Sequence, residues 1–338
     1  MSQARRCIAA VCLSVALSVA GAAVPSLSTV GAAHPGARSI LDAHNCYPYF
    51  EWWHDRIDRA LSAGMPLAIE QDLLWHRNVK SGKSWSVVSH GGPSTGSEPT
   101  LREYFFERIR PMVEKALRDG NHGDWPLITL NLDLKSEEPE HLAAISETLS
   151  EYREWLTSAP KTADPLHLEP LDVRPVLVLT GESDAQKVVF YDRLPVGRRL
   201  LLFGAVRTNT KDFSAPPEVL APDPADNYHR WWNNSWRVVE SAGQENAGPW
   251  TEAKEKRLAE LVRYAHQHNL WIRFYTPLTA QHLPSSVAAG GSERTISVQK
   301  RPRSSVGRLR VAPARTTSPA TSTRSWRKLL GRARPGAE

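Results

Sequence analysis

The chain is poor in sulfur. Its three cysteines are Cys7, Cys12 and Cys46, and the first two fall inside an N-terminal apolar segment. Loss of that segment leaves one thiol and no possible internal disulfide, so stability has to come from burial and from any bound metal. Two residues from His44, the remaining Cys46 reads as a small buried apolar group. A glycine-rich phosphate loop is missing after the first strand-like run, and with it the support for transferase and hydride-transfer chemistry. Long apolar runs are missing too, except from Cys7 to Val24. That run follows Arg5 and Arg6 and ends among small residues, Ala20-Gly21-Ala22-Ala23, so residues 1–33 are expected to be a signal peptide and short leader. Such a leader directs a protein to a secreted or extracytoplasmic location. The run is short for a membrane span, and no span is expected once it is removed.

Acidic residues are scarce at the other end. Residues 277–338 hold twelve Lys and Arg against two Glu, a balance of +10 within a formal total of +6. Helical periodicity and strand-like runs vanish there, and Ser, Thr, Arg, Pro and Ala dominate, as in a basic, low-complexity, disordered tail. A divergent or frame-shifted end near Pro277 would produce this composition. The rest of the chain is mildly acidic at −4, so no specific nucleic-acid footprint is expected on the folded part.

Between these ends, residues 38–276 alternate short apolar runs with helix-like stretches. Strands are expected at 39–45, 66–73, 85–90, 125–135, 175–180, 200–206, 236–239 and 270–275, and helices at 50–63, 100–118, 139–157, 184–193 and 251–268. Thr100 with Glu103 has the spacing of a capping box. Alternating strands and helices predict a parallel sheet covered by helices, an α/β barrel of the TIM type, with chemistry gathered where strands exit into loops.

The residues at those exits carry the chemistry. Side chains alternate across a strand, so Glu70 and Asp72 share a face, as do Asp133 and Lys135. Three carboxylates beside one lysine at the tips of apolar strands suggest a site for a divalent cation, Mg²⁺ or Ca²⁺, which prefers oxygen ligands. His44 and His90 end two further runs.

The order His44-Asn45, Glu70-x-Asp72, His90-Gly91-Gly92, Asp133-x-Lys135 resembles the phospholipase-C-like phosphodiesterase superfamily. That group holds glycerophosphodiester phosphodiesterases, bacterial phosphatidylinositol phospholipases C and the spider-toxin type of phospholipase D. In wording the chain is most similar to the branch named altered inheritance of mitochondria protein six, through Ala68-Ile69-Glu70-Gln71-Asp72 and Asp133-Leu134-Lys135. The resemblance implies a (β/α)8 barrel over roughly residues 40–275 that hydrolyses a phosphodiester. Glu70, Asp72 and Asp133 would hold one cation, Lys135 would add charge at the phosphoryl group, and His44 and His90 would serve as acid and base, or His44 as nucleophile. Asn45 would donate to a phosphate oxygen or steady the metal shell. The glycerophosphodiesterases have Arg where Asn45 stands and Glu at Asp133, so this chain departs from that branch. A phospholipid or similar diester, met at a membrane surface, is the implied partner of a monomeric enzyme.

Plainer readings stand beside these. His54, His76 and His122 have no partner pattern and read as surface groups. Arg273, alternating with Trp271 and Tyr275, either reaches a substrate phosphate or is a structural arginine stacked on its aromatic neighbours. Trp236, after Asn233-Asn234, is a candidate substrate contact. The family's last helix and closing strand have no counterpart in the text after Thr276, which leaves two alternatives to a hydrolase: an impaired barrel lacking its last βα unit, or a protein that binds anionic lipid or DNA through its basic tail.

Overall fold

The computed structural model describes residues 31–48, 53–221, 223–243, 248–275 and 296–298. The apolar leader run, most of the basic tail and the first residues of the helix expected from Phe50 lie outside them. In chain order the elements are β1 (Leu41–Ala43), α1 (Arg56–Ser62), β2 (Leu67–Arg77), β3 (Ser84–Val88), α2 (Glu107–Asp119, entered by a π-helical turn over Arg102–Phe106), β4 (Ile128–Leu134) and α3 (Pro139–Glu151). There follow β5 (Ala159–Pro160), β6 (Val176–Thr180), α4 (Asp184–Lys187), β7 (Arg199–Leu200), β8 (Phe203–Ala205), α5 (Pro217–Leu220), β9 (His229–Ser235), α6 (Glu252–Gln267), β10 (Trp271–Tyr275) and β11 (Ile296–Val298).

The parallel strands succeed one another round the sheet in chain order, β1-β2-β4-β6-β8-β9-β10, with β11 on the free side of β1. This is the strand order of a TIM-type (β/α)8 barrel, as the alternation of strands and helices implies. Among the described residues no strand hydrogen bonds join β10 to β11, although their Cα atoms approach within 8 Å. The barrel therefore has a seam at its C-terminal end.

Period-two patterning assigns the faces. On β2 and β4, Leu67, Ile69, Ile128 and Leu130 are buried in the main core cluster with α2 and α3, each aliphatic side chain contributing about 1.5–3 kcal/mol. The alternate residues Ala68, Glu70, Asp72, Thr129, Asn131 and Asp133 take the other face, into the barrel. A second core cluster packs Leu258, Leu261 and Val262 of α6 against Ile272 and Phe274. The capping box at the start of the α2 region forms reciprocally: Thr100 N donates to Glu103 Oε2 at 2.9 Å and Glu103 N to Thr100 Oγ1 at 3.3 Å.

Several expectations are corrected. The run ending at His90 is β3, which pairs antiparallel with β2 and makes a hairpin rather than a barrel strand. The strand expected at 236–239 is a turn of 3-10 helix, Trp236–Val238, and the barrel strand is the preceding β9. Polar residues on β9, His229, Arg230, Asn233 and Asn234, hide an alternation whose inward side faces a polar barrel interior. Ile296–Val298 is a strand within the segment expected to hold none. Trp271 Nε1 donates to Ala33 O at 2.8 Å, so the described end of the segment expected to be leader, residues 31–33, touches the barrel. His76 is buried rather than on the surface.

Candidate functional site

β1, β2 and β4 lie side by side in parallel register, with Ala43 opposite Ile69 and Asp72 opposite Asp133. Adjacent parallel strands stand about 4.8 Å apart, so charges at matching positions must meet. Glu70, Asp72 and Asp133 each offer an oxygen within 4.8 Å of the others. Lys135 lies between two of them, with Nζ 2.5 Å from Asp133 Oδ2 and 3.0 Å from Asp72 Oδ1. The second contact is an ion pair without hydrogen-bond alignment, since both oxygens of the fully buried Asp72 have no hydrogen-bond partner among the described residues.

Glu70 is surrounded by donors. Its Oε1 accepts from His44 Nε2 at 3.0 Å and from the Asn45 backbone N at 3.4 Å, while Oε2 pairs with Arg273. The Asn45 backbone takes a left-handed conformation, φ 57°, that asparagine tolerates better than most residues. Arg273, only 4 % exposed, donates from Nε to Asp42 Oδ2 at 2.5 Å and from NH1 to Asn233 Oδ1 at 3.2 Å. Asp42 also accepts from Asn131 at 3.1 Å. Arg273 thus serves as the buried counter-ion of two carboxylates, lies 5.3 Å from the Tyr275 ring centre and also lines the cavity described below.

Environment separates the carboxyls. Burial opposes ionisation of Glu70, but the Arg273 charge and the hydrogen bonds from His44 and Arg273 outweigh it and hold the group at about 2. Asp72 is pushed up to about 7, by burial first and by the neighbouring Glu70 charge second, with Lys135 only partly offsetting them. The His90 pKa is pushed down by partial burial and then by the Lys135 charge. Burial lowers the Lys135 pKa and the paired carboxylates raise it, with a net upward shift.

The fit to a divalent cation can be judged from these contacts. Asp42, Glu70, Asp72 and Asp133 face the cations Arg273 and Lys135, which leaves two negative charges in excess when all four are ionised. Neither buried oxygen of Asp72 has a hydrogen bond among the described residues, and the Lys135 ion pair only partly offsets the cost of burying its charge. A hard dication would satisfy both the charge and the oxygens. Either Mg²⁺ or Ca²⁺ accords with an all-oxygen donor set.

Above the cluster opens a cavity of about 570 Å³, lined by His44, Glu70, Asp133, Asn233, Arg273 and Tyr275 among others. That is ample for a small ligand. The His44 ring lies 5.8 Å from that of Tyr275. His90 reaches the group from the loop after β3, its ring 5.4 Å from Tyr47. His44, Asn45, Glu70, Asp72, Asp133, Lys135 and Arg273 are therefore brought together by direct contacts, and His90 joins at the edge.

Trp236 is not brought there. It packs on Trp250 and Phe274, 6.1 and 6.2 Å between ring centres, in the core behind the sheet, and donates to Glu240 at 3.3 Å. Its candidacy as a substrate contact rested on its place after Asn233-Asn234, and of these residues it is Asn233 that lines the cavity. Cys46 is buried with its thiol pKa pushed up by burial, which suits the apolar reading. Asp42, Asn131, Asn233 and Tyr275 were not singled out as site residues. A signal for them was present: Asp42-x-His44, Asn131-x-Asp133 and Arg273-x-Tyr275 repeat the same alternate-residue spacing as Glu70-x-Asp72.

No protein-family model and no curated protein matches the sequence. Among solved structures, the chain is similar to a calcium-dependent phosphoinositol-specific phospholipase C from the Gram-negative bacterium Pseudomonas sp., with 13 % identity, 78 % of this chain and 89 % of that chain covered, and a TM-score of 0.45. A second is a protein named a glycerophosphoryl diester phosphodiesterase from Silicibacter pomeroyi, also at 13 % identity, covering 78 % of this chain and 90 % of that one, with a TM-score of 0.38.

Proposed function

We propose that the barrel is a divalent-metal-dependent phosphoric diester hydrolase. The observation that carries this reading is Asp72, buried between Glu70 and Asp133 with neither oxygen hydrogen-bonded among the described residues, ion-paired to Lys135, in a cluster whose Glu70 also meets His44. Glu70, Asp72 and Asp133 would hold the cation, which when bound supplies Lewis-acid charge for phosphoryl oxygens.

The remaining steps belong to side chains. Lys135 adds positive charge at the same place and keeps Asp133 oriented. His44 holds Nε2 to the Glu70 carboxylate while its buried Nδ1 has no hydrogen-bond partner among the described residues; once turned into the cavity that it lines, the imidazole would take a proton from the attacking oxygen or attack phosphorus itself. His90, open to solvent and with its pKa pushed down, gives a proton readily to the leaving alkoxide and is reprotonated from water. Asn45 acts through its backbone N–H, which holds Glu70 in place. Substrate is drawn from phospholipid-derived or similar diesters, and the leader accords with action outside the cytoplasm.

Hydrolysis of bis-p-nitrophenyl phosphate by the purified chain tests the reading. A divalent-dependent rate that chelator abolishes, and that Glu70→Ala and His90→Ala each reduce, is expected. A rate that is absent, or indifferent to both substitutions, sinks it.

A further inference from the structure

The hairpin that carries the chain from Asp72 to His90 stands outside the barrel. β2 pairs with β4 only as far as Leu73 opposite Leu134, and beyond that its partner is β3, from Leu73 opposite Val88 to Arg77 opposite Ser84. At about 3.3 Å per residue, the four residues after Leu73 carry the turn roughly 13 Å beyond the strand ends where Asp72 faces Asp133. The hairpin therefore projects on the same side as the cavity mouth.

Its base is braced. His141, buried at the start of α3, meets Ser86 Oγ at 2.9 Å and Ser136 Oγ at 3.0 Å and stacks on Trp75 at 5.4 Å. On the same hairpin His76 meets Ser94 Oγ at 2.7 Å and packs on Trp85 at 4.6 Å. The turn is closed as well: Asn78 Oδ1 accepts from Lys80 N and Ser81 N, each at 3.0 Å, and Gly82, at φ +70°, donates to Asn78 O at 2.8 Å.

A turn held this firmly displays a fixed surface, and its content is distinctive. Val79 is 92 % exposed at the tip, flanked by the exposed Arg77, Lys80 and Lys83, and no Asp or Glu occurs between Asp72 and Glu98. One exposed aliphatic residue is ordinary. An exposed aliphatic tip with three exposed cations within four residues of it, on the cavity side of a body that is otherwise acidic, matches an anionic bilayer, where cations meet headgroups and the apolar side chain enters between them. Nucleic acid would satisfy the cations but gains nothing from Val79.

We infer that the β2–β3 hairpin docks the open face of the barrel on an anionic lipid surface. This inference rests on the hydrolase reading only for what the docked face would then meet. The full chain is mixed with vesicles of phosphatidylcholine, with and without phosphatidylserine, and followed by sedimentation and by hydrogen exchange of residues 78–83. Phosphatidylserine is expected to recruit the protein and protect that turn. The double substitution Lys80→Glu with Lys83→Glu should weaken recruitment at least about tenfold, and Val79→Asp should weaken it also, while hydrolysis of the soluble diester stays at the wild-type rate. Absence of binding, binding that both variants retain, protection confined to residues 277–338, or protection of the turn by duplex DNA and not by vesicles would each overturn the inference. The soluble assay contains no vesicle, so failure of docking and failure of the hydrolase reading are seen separately.

Discussion

β2 and β4 pair without interruption from Leu67 opposite Ile128 to Leu73 opposite Leu134, and this wall carries Glu70, Asp72 and Asp133. Across the barrel, the wall of β8, β9 and β10 shifts register at Gly204/Ala205 and ends at the seam beside β11. It supplies Arg273, Asn233 and Tyr275. The first wall sets the spacing of the carboxylates and pairs Asp72 and Asp133 with its own Lys135, and the second supplies the counter-ion of Asp42 and Glu70. A continuous ladder can fix distances between neighbours on its own, whereas neutralising the buried Asp42 and Glu70 required an arginine from another wall.

Removing that arginine should produce the largest effect. Arg273→Ala leaves Asp42 and Glu70 buried without their counter-ion and is expected to cost about 3–5 kcal/mol in urea unfolding. A loss below about 1 kcal/mol would mean that the two walls are electrostatically independent.

Asp72→Asn acts on the other wall. Hydrolysis of the model diester should fall at least about a hundredfold, which is about 2.7 kcal/mol in the barrier. In chelator at pH 8 the same substitution should raise the melting temperature, because it removes a buried carboxylate whose ionisation is opposed by burial and the Glu70 charge more than the Lys135 ion pair favours it. Equal activity, or a lower melting temperature in chelator, would separate Asp72 from the metal site.

Proton linkage sharpens the contrast. Asp72 is raised to about 7 from an unfolded value of about 3.9, so the folded state binds its proton more tightly, and that stabilisation is lost as pH rises from about 4 through 7. Glu70 is lowered to about 2, so its contribution is present above about 4 and is lost as pH falls towards 2. Thermal melts in chelator should show these two groups favouring the folded state most near pH 4. A divalent cation should raise the melting temperature more at pH 8 than at pH 5, and Asp72→Asn should erase that difference.

The smallest effect belongs to Trp236→Phe, a change in the core behind β10. It should cost less than about 1.5 kcal/mol and leave KM for the diester unchanged. A raised KM with unchanged stability would return Trp236 to the substrate site.

Much of the site was legible because it is local. Glu70-x-Asp72 and Asp133-x-Lys135 announce shared faces through the alternation of strand side chains alone, and the apolar runs in which they sit locate the strands. The wall of β9 and β10 was harder to read. Trp231 and Asn233 point into a polar interior, so β9 lacks the apolar alternation of a strand with one wet face, and the strand was placed one element too late. Asp42 carried the right spacing with His44 but lacked a visible reason to be charged until Arg273 was beside it. His76, by contrast, carried no pattern at all, since its serine partner lies 18 residues away, and His141 joins a near serine, Ser136, to one 55 residues away, Ser86.

The sequence by itself determined the order of strands and helices and the pairs of charges that each strand delivers, since both follow from period-two and helical patterning within a few residues. Only the tertiary structure decided which charges neutralise each other. Arg273 and Asp42 are 231 residues apart, and such a pair exists only once the barrel has curled far enough for β10 to face β1. Burial then makes the pairing obligatory, because an isolated charge in that interior would cost more than the fold can supply.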